Sequence, residues 1–315
     1  MSNFRKIGGR YGFHSGSGRM KNLQVDQSMF VQGSPLYQVV GNVWYVDKNK
    51  SSGVSGDGKT WDSAFLTLTE AVAAAGAYDT IFMGHGLYAE AATIEIVSTQ
   101  RGLKIFGPGT GGVATTDGIS SATSGDTILI INADKVEIAG ITFWCLTDTK
   151  HGIDIGEDYD GYDNWIHDCS FATGTADNTK GEYGIKLNNT DDCVGTLIEN
   201  CYFHYMSTAA IVVAATRCTI RNNTIWTSAI GVDLEQSAGS FACCLVADNY
   251  IIGNNSSDTG IKLASTEATD GSILLANNII TNCATNITTG KSVMSQVNNQ
   301  TAADASTYLQ VDASP

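Results

Sequence analysis

The chain has 315 residues, is 43% hydrophobic and 16% charged, and carries 32 acidic against 18 basic side chains, a net charge of −14. So many apolar residues and so few charges exclude a disordered chain. The acidic balance excludes a nucleic-acid surface or a docking face for an anionic membrane, since both need a basic stripe.

Residues 1–43 run against that balance. They hold Arg5, Lys6, Arg10, Arg19 and Lys21, and Gly8, Gly9, Gly12, Gly16 and Gly18 break up regular structure. Leu23–Asp26 and Met29–Gln32 are the candidates for short strands. With Phe4, Tyr11, Phe13 and Phe30, the segment reads as an extended anchoring arm; a flexible solubilising tail is the alternative. The opening ten residues have no apolar run, so no signal peptide is visible, and no stretch approaches 18 apolar residues.

Trp44–Asp47 reads as a strand and Lys48–Gly58 as a turn-rich loop. Phe65, Leu68, Ala71, Val72 and Ala75 keep the i, i+3, i+4 spacing of an amphipathic helix near 64–75, which Gly76 ends. Strands are expected at 79–83, 93–96, 103–106 and 127–130. Gly107–Gly112 follows a strand, but no helix pattern follows it, so it is a turn and not a nucleotide loop.

A six-residue phrase then recurs: Ile138–Phe143, Ile166–Phe171, Ile198–Phe203, Ile220–Ile225, Val246–Ile251 and Leu275–Ile280. Its last residues lie 28, 32, 22, 26 and 29 apart. A repeat of that length without helical period means stacked units, none able to bury its apolar face alone. First and last positions are five apart, so both cannot face inward from one flat strand. A bend must fall between them, at Asp168, Asn200, Asn222, Asp248 and Asn277, residue types that tolerate left-handed backbone. Stacked coil on coil, these are expected to form an internal polar ladder.

A second phrase follows in each coil: Gly152–Ile155, Gly184–Leu187, Ala210–Val213, Gly231–Leu234 and Gly260–Leu263. Its period of two turns the aliphatics inward and Asp154, Lys186, Val212, Asp233 and Lys262 outward. The eight Cys form no Cys-x-x-Cys; Cys169 and Cys201 share one repeat slot, Cys218 and Cys244 another. They read as small core fillers, with disulfides between coils as the alternative. Residues 285–315 lose the phrase and read as a cap or tail. A capping helix ahead of such a solenoid is expected, because the first coil otherwise exposes an apolar end.

From residue 44 to 284 the chain resembles the right-handed parallel β-helix of the pectate-lyase-like superfamily. Trp44–Asp47, the Gly-rich loop, Glu70–Ala75 and Asp79–Tyr88 are similar to its usual opening. The fold implied is all-β: a single-stranded right-handed parallel β-helix with an N-terminal capping helix. Asn164–Phe171 resembles a pectate lyase segment in which Trp-Ile is followed by Asp-His-Cys. Here the order is His167-Asp168, and the family's arginine motif is absent.

In the first phrase His167, Glu199 and Arg221 share the outward slot on successive coils. They are the catalytic candidates; a charge ladder that holds register is the competing account. Glu157, Asp158, Asp160 and Asp163 cluster in one loop and are the calcium candidates, though without EF-hand spacing; a solvated acidic turn competes. No cofactor motif is present. The resemblance, taken with the missing signal peptide, the basic arm and the lack of a catalytic set, implies a non-enzymatic phage virion protein, capsid-decorating or fibre-like, whose residues 1–43 bind capsid or other virion proteins. The alternatives are a tailspike-like polysaccharide depolymerase, lyase or glycosidase, and an adhesin that binds a host glycan. It also implies a homotrimer.

Overall fold

The computed structural model describes side chains over residues 41–109, 117–120, 127–145, 151–157, 161–173, 181–188, 193–227, 229–234, 244–254, 257–263, 273–288 and 295–301. Elsewhere only the backbone of a few short strands is described.

The chain divides into two compact units, Met1–Gln38 and Val39–Pro315. In the first, Arg5–Ile7 pairs antiparallel with Arg10–Gly12, and Phe30–Val31 with Ser34–Pro35. The strand expected at Leu23–Asp26 lies outside the described residues.

The second unit is a right-handed parallel β-helix of three sheets. The first sheet runs in ten strands from Val43–Val46 to Met294–Val297. The second runs from Leu87–Glu90 to Gln300–Ala302, with Gln310–Val311 added antiparallel. The third runs in eight strands from Ile94–Ile96 to Thr285–Ile287. From Thr80 to Ile287 each coil contributes one strand to each sheet. The first phrase supplies a strand of the first sheet and one of the second; the second phrase supplies the third. Coil stacking continues through residue 302, so residues 285–302 are not a tail. Gln296 and Thr301 stand where Leu275 and Ile280 stand one coil earlier, and the loss of apolar anchors hid that coil in the sequence.

The bend falls where expected. Asp168, Asn200, Asn222, Asp248 and Asn277 all have φ between 51° and 57°. The internal polar ladder, however, is built by the next residue. A left-handed residue turns its own side chain outward and the following one inward. Asn223, Asn249, Asn278 and Asn299 are buried, and each side-chain amide bonds the next Asn at 2.9–3.0 Å as far as the last. Each also donates to a carbonyl of the preceding coil: Ile198, Ile220, Val246 and Leu275. Cys169 and Cys201 continue the same column, their thiols facing the carbonyls of Ile138 and Ile166 at 3.7 Å. All seven described cysteines are buried and unbridged. They fill the core and extend its ladder.

The core is a column of aligned side chains. Phe143, Phe171 and Phe203 stack at 5.0 and 4.8 Å, with Ile225 next in register. Gly184 is required by this column: a Cβ there would stand 2.6 Å from the Phe203 ring and 2.8 Å from the Ala210 carbonyl.

The capping helix spans Leu68–Ala74 and buries Leu68, Ala71 and Val72 against the first coils. Thr67 and Glu70 close a capping box. The buried Glu90 carboxylate accepts the Leu68 N–H at 2.8 Å and the Thr69 hydroxyl at 2.6 Å, tying the helix to the second sheet. Phe65 precedes the helix and bridges to Val46.

Candidate functional site

The outward face of the first sheet carries the candidate catalytic residues. Strand register places Phe106, Ala139, His167, Glu199, Arg221, Ala247 and Ala276 in one row. Lys104, Glu137, Trp165, Leu197 and Thr219 form the row beside it. Neighbouring coils stand about 4.8 Å apart.

Within this face the charges satisfy one another. The Arg221 Nε–H donates to Glu199 Oε2 at 2.7 Å, and the Trp165 indole N–H donates to Glu199 Oε1 at 3.0 Å. His167 does not engage Glu199. Its Nδ1 lies 2.7 Å from Asp168 Oδ2, its Nε2 lies 3.4 Å from Glu137 Oε1, and its ring stacks on Trp165 at 4.0 Å. Lys104 Nζ donates to Glu137 Oε2 at 2.5 Å. Burial disfavours the His167 imidazolium, but its hydrogen bonds to the Glu137 and Asp168 carboxylates outweigh it and raise its pKa. Burial likewise opposes ionisation of Glu137, yet His167 and Lys104 prevail and hold the carboxyl below its ordinary value.

Glu137 and Glu199 stand two coils apart and in different rows, with Trp165 on the coil between them. A glycosidase acid needs a raised pKa and a free proton to give. Glu137 has the opposite shift, and both oxygens of Glu199 are engaged. The arrangement is a face on which Glu137 and Glu199 are both held by ion pairs and hydrogen bonds.

The outward row of the third sheet follows the expected order, Asp154, Lys186, Val212, Asp233, Lys262. Lys262 Nζ lies 2.7 Å from Asp233. The nearly buried Asp154 is held by His151 Nδ1 at 2.9 Å and by the Asn188 amide. On the second sheet Tyr202, His204, Tyr205 and Trp226 pack ring against ring. Burial lowers the His204 pKa.

Of the four calcium candidates, Asp158 and Asp160 lie outside the described residues; Glu157 and Asp163 are exposed. Among the described residues no group of three or more His, Cys, Asp or Glu is placed to hold a metal ion. Several cysteine sulfurs face backbone carbonyls, as at Cys193 and Cys218. Burial pushes the Cys145 and Cys283 thiols up to about 12, which keeps them protonated.

Sequence reasoning placed His167, Glu199 and Arg221 in one row and missed Lys104 and Glu137. Both precede the inward Ile of their strands: Glu137 one position before the first copy of the phrase, Lys104 on the strand Lys104–Phe106 ahead of it. The period of two along each strand is the signal that reaches them.

A family model described as "Periplasmic copper-binding protein (NosD)" matches residues 114–304, more than half of the chain. No curated protein matches. Among solved structures, pectate lyase Pel9A superposes with a TM-score of 0.57 at 12% identity, covering 84% of this chain and 76% of that one. Escherichia coli YbhC gives 0.58 at 11% identity, covering 86% and 87%. Pectin methylesterase PemA from Erwinia chrysanthemi gives 0.53 at 15% identity, covering 84% and 90%. At these identities the likeness is one of fold.

Proposed function

The chain belongs to the NosD family, and from that premise we propose that it is a non-enzymatic structural β-helix of a phage virion, capsid-decorating or fibre-like, fastened to the particle by its N-terminal arm. The observation that carries this reading is the segregation of charge. Residues 1–38 hold five basic side chains and one acid, net +4; the remaining 277 hold 13 basic and 31 acidic, net −18. A basic segment in an otherwise acidic chain is suited to grip an acidic shell. The ion-paired charges of the first sheet support a structural role.

Copper, named in the family's description, does not enter the proposal. Copper favours thiolate, thioether and imidazole donors brought together. Here the described thiols are buried singly or in core columns, and His151, His167 and His204 stand on three different sheets. The described residues therefore do not fit a copper site.

The test is reversal of Arg5, Lys6, Arg10, Arg19 and Lys21 to Glu in the full chain. The variant is expected to fold as before and to be lost from purified particles. The unaltered protein is expected to detach as salt rises. Normal incorporation of the variant would overturn the reading. The exposed Trp165 and Trp226 favour glycan binding as the second reading. It predicts retention of host polysaccharide without new reducing ends or unsaturated products.

A further inference from the structure

Two histidines stand between carboxylates where the coil of strands 137–155 meets the coil of strands 165–187. His167, on the first sheet, has Nδ1 2.7 Å from Asp168 and Nε2 3.4 Å from Glu137 of the preceding coil. His151, on the third sheet, has Nδ1 2.9 Å from Asp154 and Nε2 3.6 Å from Glu182, which leads into the next coil's strand. Their side chains are only 13% and 12% exposed. A neutral imidazole has one N–H and can donate to one carboxylate only. The protonated ring donates at both nitrogens and carries the compensating charge.

We propose that this junction is an acid-set clasp: protonation of His167, which bridges Glu137 of the preceding coil and Asp168 of its own, fastens the two coils together, so the solenoid is held most tightly at mildly acidic pH and loosens at this level as pH rises.

The surroundings agree. His167 is faced by Glu137, which also binds Lys104, by Asp168, and by its register neighbour Glu199, which binds Arg221. His151 is faced by Asp154 and Glu182 and by the Tyr183 ring at 4.7 Å, over which Lys186 lies at 5.8 Å. The preceding strand, Leu129–Ile131, brings no charge. Carboxylates thus outnumber cations around both rings. The raised pKa of His167 gives the sign. Its stabilisation is complete below the unfolded histidine value, about 6.5, and is lost as pH rises through the folded value. His85 faces Asp117 in a similar way, but with 76% of its side chain exposed it contributes little.

The test is denaturant unfolding of the full chain from pH 5 to 9, beside the His167→Gln variant. The unaltered protein is expected to lose stability as pH rises above about 6.5, by about tenfold in the folding equilibrium constant per unit of pKa elevation. The variant is expected to lose most of that slope. An equal slope in both proteins, or a flat profile in the unaltered one, overturns the clasp. Should the variant fold poorly, proton NMR of the unaltered chain decides: His167 titrating above about 6.5 supports the clasp, and at or below it contradicts it.

Discussion

At the scale of single residues, buried carboxylates do the joining. Asp79 is 2% exposed and accepts from the Asn42 N–H at 2.6 Å, the Trp44 indole at 2.8 Å and the Gly76 N–H at 2.8 Å. It pins the first strand, the loop after the capping helix and the second strand at one point. Burial works against its charge, but those hydrogen bonds prevail and lower its pKa. Asp79→Ala leaves three donors without a partner and is expected to cost about 3 kcal/mol in denaturant unfolding. Because the folded pKa is depressed, the contribution of Asp79 is present above the ordinary aspartate value and disappears as pH falls through the folded one. Glu199→Gln keeps the shape but removes the charge opposite Arg221. Under the structural reading it lowers stability by about 1 kcal/mol and changes no activity; loss of a polysaccharide-cleaving activity in that variant would place chemistry on this face.

At the scale of elements, the inward column after each bend sets the register. It reads Cys169, Cys201, Asn223, Asn249, Asn278, Asn299, and each member donates to the preceding coil. Asn249 also accepts the Asn223 N–H at 3.0 Å and bonds Asn278. Asn249→Ala should therefore cost about 2–4 kcal/mol. Cys201→Ala, which removes a weak donor and one sulfur, should cost about 1 kcal/mol. Equal losses on thermal unfolding would show that the ladder is mere filling. Sequence reasoning found the bend, because only Asn, Asp or Gly sits comfortably there, yet assigned the ladder to the bend residue itself. The left-handed turn was legible from residue type, but which of two adjacent polar side chains that turn leaves pointing inward was not. The last coil escaped for a related reason: Gln296 and Thr301 occupy anchor positions without apolar side chains, while Asn298 (φ 52°) and Asn299 keep the bend and ladder.

At the scale of the whole molecule, the stacked architecture was legible because every coil repeats the same inward pattern, and pattern survives where individual residues vary. The candidate site was only partly legible. Strand register put His167, Glu199 and Arg221 in a row as expected, but side-chain reach sent His167 to Glu137 and Asp168 instead of Glu199. Contacts between rows depend on rotamers rather than spacing. What separates the two units is charge, and that is where function is to be sought. The most direct measurement is quantitative co-sedimentation of residues 39–315 with particles lacking the protein, beside the full chain. The account predicts that the truncated body melts cooperatively, with unchanged circular dichroism in the β region, and stays in the supernatant. A body that sediments with particles as fully as the intact chain would contradict it.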